Sequence, residues 1–256
     1  MGFVFGQKIF EQFERTHPES EGLPFPAAVL RFFNFQFEIN QAELAQIPKQ
    51  GQVIIIANHP LGSLDGIGLL DAVLSIRPDA KIVVNELLMH VERLQPFALP
   101  VDNMSNKTSR EQLRAIQSHL ASGGALIIFP AGEVSRWRLS GIRDGQWNSS
   151  FVRLALRYHA PIVPVLVGGR NSRFFYCLSL FIKPLSTAWL IREMFKHRHA
   201  RVSVRVGRPI SYPALSEKRE PAQVIADEIK AQVYSLSEAC DLPSPPPHPI
   251  AKPESR

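Results

Sequence analysis

Cysteine is nearly absent: Cys177 and Cys240 are the only two in 256 residues. Two thiols, the second beside a proline-rich tail, make no disulfide framework and fit a reducing compartment. Long apolar runs are missing too. A membrane-crossing helix needs about 20 apolar residues. The best stretches, 23–37 and 178–191, are interrupted by Pro24, Pro26 and Arg31, and by Lys183 and Pro184. Either suits a membrane surface better than its interior. The first fifteen residues lack a basic segment leading into an apolar core, so a cleaved signal is not expected. Gly6 stands where a myristoylation motif has Ser or Thr. No Gly-x-Ser-x-Gly elbow of a serine hydrolase occurs, and no internal repeat.

Acidic residues thin out in one region. Between positions 133 and 208, fourteen Lys and Arg face only Glu133, Asp144 and Glu193, in a chain of net charge +6. Such a face attracts nucleic acid, anionic lipid or an acidic carrier protein, or is simply solvated. The aromatic interleaving of a single-strand groove is not evident, so nucleic acid is not an expected partner.

What is present reads as an ordinary globular chain, 45% hydrophobic and 20% charged, with room for one sizeable domain. Phe3, Ile9, Phe10 and Phe13 suit one face of a short helix. Alternation over 33–40 predicts a half-buried strand, with 27–32 a possible short helix before it. Val53-Ile54-Ile55-Ile56-Ala57 is short, β-branched and uncharged, as in a strand buried on both faces of a parallel sheet. Strands are expected also at 81–85, 125–129, 162–167 and 201–207. Helices are expected at 64–76, 86–94, 108–122 (with Thr108 and Glu111 as a capping box), 148–159 and 221–240. Alternating elements of this length imply an α/β fold with a largely parallel sheet covered by helices on both faces. The expected layout is amphipathic N-terminal segments at 1–50, an α/β domain at 51–240 and a disordered proline-rich tail at 241–256.

The stretch Ala57-Asn58-His59-Pro60-Leu61-Gly62-Ser63-Leu64-Asp65-Gly66 follows the buried strand. Open α/β sheets place their sites just past the carboxyl ends of strands. An imidazole poised near neutral pH can take a proton from a hydroxyl, and a carboxylate on its other nitrogen fixes the tautomer. His59 and Asp65 fit those two roles. They fit equally a histidine satisfied by backbone and an aspartate capping a helix. Two more buried strands open onto the same edge: 127–136, ending in Pro130, Gly132 and Glu133, and 160–172, ending in Arg170-Asn171-Ser172-Arg173. The segment 98–103 adds a turn with Asp102.

Together these segments resemble the four ordered blocks of the glycerolipid acyltransferase superfamily, often called PlsC-like, over roughly residues 25 to 210. The stretches at 58–66, 85–88, 100–103, 129–136 and 168–176 look most like the bacterial haemolysin-like branch related to lyso-ornithine lipid O-acyltransferases. The resemblance implies transfer of an acyl chain from a thioester of acyl carrier protein or coenzyme A to the hydroxyl of a lyso-lipid, with no metal or other cofactor. It implies His59 as catalytic base and Asp65 as its partner, at an anionic membrane surface on the cytoplasmic face of the inner membrane. Asn58, Gly62, Asp102, Gly132, Glu133, Arg136 and Arg170 are the expected substrate-binding positions. Arg170 and its neighbours are candidates for a phosphopantetheine contact or for a plain surface cluster.

The chain departs from the wider pattern. Five residues separate His59 from Asp65 where four are common, Ala131 stands for a Glu, and Val134 for an Arg. Val101 and Asp102 occupy the place of a phosphate-binding Arg. A phosphomonoester site should present fixed cations; here Asp102 or Glu133 suits the amine of an aminolipid. The rival readings are acylation of lysophosphatidic acid and a non-catalytic lipid-binding homologue. Trp137, Trp147 and Trp189 are expected in the core or at an interface, without a catalytic part.

Overall fold

The computed structural model describes residues 24–101, 109–138, 141–181 and 183–237, without the side chains of 87, 180–188 and 191. The N-terminal stretch 1–23, Thr108, Asp102, Cys240 and the proline-rich tail lie outside the described residues.

Helix α1 (Phe25–Phe33) ends where Asn34 turns left-handed, and β1 (Gln36–Ile39) follows. A single turn, α2 (Gln41–Leu44), is capped by the Asn40 side chain. Next come β2 (Val53–Ala57), α3 (Ser63–Leu74), β3 (Lys81–Asn85), β4 (Ala98–Val101), α4 (Arg110–Ala121) and β5 (Ala125–Ile128). A small hairpin, β6 (Arg136–Arg138) and β7 (Gly141–Arg143), precedes α5 (Ser150–Tyr158), β8 (Ile162–Val167), α6 (Arg173–Phe181) and α7 (Lys183–Lys196). The described chain closes with β9 (Arg201–Val206), α8 (Tyr212–Ser216) and α9 (Ala222–Ser235).

Among the described residues one seven-stranded sheet runs β1-β9-β8-β2-β5-β3-β4. The strands β8, β2, β5, β3 and β4 are parallel. Strand β9 is antiparallel to β8, and β1 runs with β9. The largely parallel sheet expected from the alternating pattern is therefore present, with two strands reversed at one edge.

Every residue of β2 is fully buried, because the strand lies mid-sheet and feeds two cores. Val53, Ile55 and Ala57 face a layer with Phe25, Val29 and Phe33 of α1 and Leu69, Leu70 and Val73 of α3. Ile54 and Ile56 face Leu120 of α4, Phe151 and Val152 of α5 and Ile229 and Val233 of α9. Each such side chain contributes about 1.5–3 kcal/mol of apolar burial, so the central strand is anchored from both sides.

Three expectations need correction. Residues 25–39, read as lying before the domain, supply one covering helix and an edge strand of its sheet. The single helix expected over 86–94 is two short 3-10 turns, Glu86–His90 and Glu92–Phe97, the second holding Pro96. The capping box of α4 at the described residues is Ser109 with Gln112.

Candidate active site

Five parallel strands point their carboxyl ends the same way, and the residues beyond β2 meet those beyond β5 and β8. Asn58 is the first of them and is buried. Its amide nitrogen donates to the Val167 carbonyl at 2.8 Å and its amide oxygen accepts the Val167 N–H at 2.7 Å. One side chain thus continues the β2–β8 ladder, leaving the main chain of the next residue free to turn.

That residue is His59. Its ring lies on Phe129 at 4.4 Å between centroids, and its side chain keeps 21% of its surface open. Nδ1 stands 2.9 Å from Oδ1 of Asp65, close but off the line of an ideal N–H···O bond. Catalytic contacts are commonly loose before substrate binds. Asp65 has no exposed surface. Its Oδ2 accepts the N–H groups of Leu61 at 2.8 Å and Gly62 at 3.2 Å, and its Oδ1 the N–H of Gly66 at 2.8 Å. The carboxylate is therefore both a cap for the start of α3 and a fixed neighbour of the imidazole. Burial pushes the His59 ring toward the neutral form, but the charge and hydrogen bond of Asp65 and the charge of Asp144 outweigh it, so its pKa lies above the ordinary imidazole value.

Gly62 sits between them with φ +98 and ψ −126, a region L side chains rarely adopt, and a Cβ there would face Leu190 and Val134 at 3.6 Å. Its contribution is backbone shape. Gly132, also at positive φ, closes the turn after β5 through its N–H to the Phe129 carbonyl at 3.1 Å. Glu133 meets Arg136 at 3.1 Å and Arg138 at 3.8 Å, so the acid of this block is bracketed by cations. Arg170 is exposed on the turn after β8. The structure brings Asn58, His59, Gly62 and Asp65 into one loop and ties that loop to the block holding Gly132, Glu133 and Arg136. The tie is the Ser135 N–H, which donates to the His59 carbonyl at 2.7 Å.

Several residues were not anticipated as members of this site. Asp144 is 1% exposed and accepts the His59 N–H at 3.2 Å. Asn171 donates to the Pro60 carbonyl at 3.0 Å and takes His197 Nε2 on its oxygen at 2.9 Å. Glu193 of α7, buried, accepts both the N–H and hydroxyl of Ser172, Lys196 Nζ at 2.7 Å and Trp189 Nε1 at 3.2 Å. Burial would raise the Glu193 carboxyl, yet these donors hold it below the usual range. The acid-poor span offered a signal for Glu193, an isolated acid with a nearby cation, Lys196, to meet; Asp144 meets neutral donors instead.

The model of the acyltransferase family matches residues 10–241 of this chain. A lyso-glycine lipid O-acyltransferase of Bacteroides thetaiotaomicron is 35% identical over 223 residues, 84% of this chain and 80% of that protein. One from Phocaeicola vulgatus is 33% identical over 241 residues, 91% of this chain and 85% of that protein. The crystal structure of the 1-acyl-sn-glycerophosphate acyltransferase PlsC from Thermotoga maritima shares the fold. Its TM-score is 0.55 at 18% identity, covering 95% of this chain and 89% of that one. The chain belongs to the acyltransferase family and is an enzyme of that family.

Proposed function

We propose that this acyltransferase moves a fatty acyl group from a thioester to the hydroxyl of a lyso-lipid, most suitably a lyso-aminolipid such as lyso-ornithine or lyso-glycine lipid. The observation that carries the reading is the pair of His59 Nδ1 and fully buried Asp65, 2.9 Å apart at the carboxyl edge of the sheet. With Nδ1 committed to the carboxylate, Nε2 takes the proton of the acceptor hydroxyl. The oxygen then forms a bond to the thioester carbonyl carbon, the carbon–sulfur bond breaks, and the thiolate recovers the proton from the imidazolium. Asp65 stabilises the ring in its charged form between the two transfers. Base catalysis of this kind supplies about 10² to 10⁴ in rate. The donor is acyl carrier protein or coenzyme A thioester, and the reaction uses no resident cofactor.

A lyso-aminolipid is favoured over lysophosphatidic acid because the cation nearest the block after β5 is already engaged: Arg136 holds Glu133. A phosphomonoester would have to compete with that carboxylate for the guanidinium, and the relatives named as lyso-glycine lipid O-acyltransferases support the same preference. We place the enzyme at the cytoplasmic face of the inner membrane, attached peripherally to anionic lipid. No helix among the described residues is long and apolar enough to cross a membrane. Arg192 of α7 and Arg198 just past its end are exposed, while Glu193 and Met194 face inward, so this segment is half packing and half basic surface.

Purified protein is to be offered lyso-ornithine lipid, lyso-glycine lipid and lysophosphatidic acid, each with acyl-coenzyme A and with acyl carrier protein thioester, and products followed by mass spectrometry. Acylation of an aminolipid in preference to lysophosphatidic acid is the expected result; the reverse preference overturns the substrate reading.

A further inference from the structure

His59 is flanked by two buried carboxylates, and only Asp65 touches its ring. Asp144, on the far side of the hairpin, is 85 positions away in sequence yet receives the His59 main-chain N–H. The same Oδ1 accepts the hydroxyl of Ser135, whose own N–H donates to the His59 carbonyl at 2.7 Å. His59, Ser135 and Asp144 thus close a ring of three hydrogen bonds. Oδ2 accepts Trp147 Nε1 at 2.9 Å. The main chain of Asp144 is held in turn by α9: its N–H goes to Tyr234 Oη at 2.9 Å, and its carbonyl takes Lys230 Nζ at 3.2 Å. Burying a carboxylate is costly unless its lone pairs are met by donors; here three donors converge on it, two of them from His59 and from the block after β5.

We propose that Asp144 is a positioning residue of acyl transfer: it fixes the main chain of His59 and the turn carrying Ser135 to one point, and so sets where the imidazole stands relative to Asp65 and the incoming hydroxyl. The inference rests on His59 being the base. Asp144 also sets the local field. The charged groups facing His59 are Asp65 from α3 and Asp144; those facing Asp144 are His59, Lys230 of α9 and, through Tyr234, Arg143 of β7. Burial raises the Asp144 carboxyl, and while ionised it favours imidazolium at His59.

The test compares wild type, Asp144→Asn, Ser135→Ala and His59→Ala as full-length proteins. The His59 ring resonance, assigned by its loss in His59→Ala, is titrated by NMR, and kcat and KM are measured with lyso-glycine lipid, lyso-ornithine lipid or lysophosphatidic acid, whichever is acylated, and its thioester donor. In Asp144→Asn the midpoint of His59 should fall, because a negative charge beside the ring is lost. Its kcat should drop about 10- to 100-fold with KM within about twofold, as for a displaced catalytic group. A folded Asp144→Asn with an unshifted midpoint and wild-type kcat overturns the proposal. Should that variant not fold, Ser135→Ala decides: it breaks the ring but keeps the carboxylate, and wild-type kcat in it overturns the proposal equally. Turnover surviving in His59→Ala instead removes the base reading itself, a separate failure.

Discussion

The two ends of the sheet both bury ionised side chains, and they use them differently. At the amino end, Arg77 is 2% exposed and each nitrogen of its guanidinium has a partner. Nε and Nη2 hold Asp79 at 2.8 and 2.7 Å, Nη1 the Pro48 carbonyl at 2.8 Å, and Nη2 also the Gly123 carbonyl at 2.9 Å. Asp79 completes the set by accepting the Ala125 N–H at 3.1 Å, and its hydrogen bond to Arg77 holds its carboxyl below the usual range. The cluster is closed on itself and stitches the starts of three segments together. At the carboxyl end, Asp65 meets an imidazole, whose charge comes and goes near neutral pH, and Asp144 holds the main chain that carries it. A permanent counter-ion makes a staple; a titratable one leaves capacity for chemistry.

That contrast can be broken from either end. His59→Ala should cost the most, lowering turnover about 10²- to 10⁴-fold while thermal unfolding stays close to wild type. Retained activity would mean the base lies elsewhere. Arg77→Ala should do the opposite, costing about 1–3 kcal/mol of stability because two half-buried carbonyls lose their donor. Its kcat per folded molecule should match wild type; a lower kcat would tie the two ends together. Asp65→Asn belongs to both classes, since an amide nitrogen would face backbone N–H groups that now have an acceptor. Stability should drop by about 1–3 kcal/mol, and turnover should fall less than in His59→Ala because the ring survives in a poorer tautomer.

The smallest effect is in pH dependence. The His59 value is raised in the folded protein, so its contribution to stability is full below the unfolded value of about 6.5 and fades as pH rises through the folded one. Activity needs the neutral ring and should climb over that same interval. Denaturant titrations and rate profiles across it should therefore slope in opposite directions; parallel slopes would remove His59 from one of the two roles.

Much of this frame was legible in the chain. The β-branched run of β2 and the His59–Asp65 spacing needed only local pattern. The signals for β3 and β8 matched their observed limits, since continuous apolar runs bounded by turn residues leave little choice. The segment 98–103 reads as a turn, whereas 98–101 form strand β4; Pro100 is tolerated on this edge, where no neighbour needs its N–H. Asn58 read as a motif residue facing substrate, whereas both ends of its amide are spent on Val167, 109 positions away. Asp144, Ser135 and Asn171 escaped for the same reason: their partners lie on loops that only the finished sheet brings together, and no periodicity encodes such pairings. The hairpin β6–β7, with three residues per strand, is too short to show alternation.

The reversal of β9 against β8 has a consequence for how such an enzyme can diversify. A parallel neighbour would require the chain to travel back along the whole sheet before pairing. Antiparallel pairing lets residues 168–200, with α6 and α7, leave from the carboxyl edge and return to that edge. This excursion hangs over one end of the sheet and reaches the core through Met194, with Phe195 and Ala200 packed beside it. Its length and composition can drift while seven strands keep their register, so changes of clientele among relatives should accumulate there.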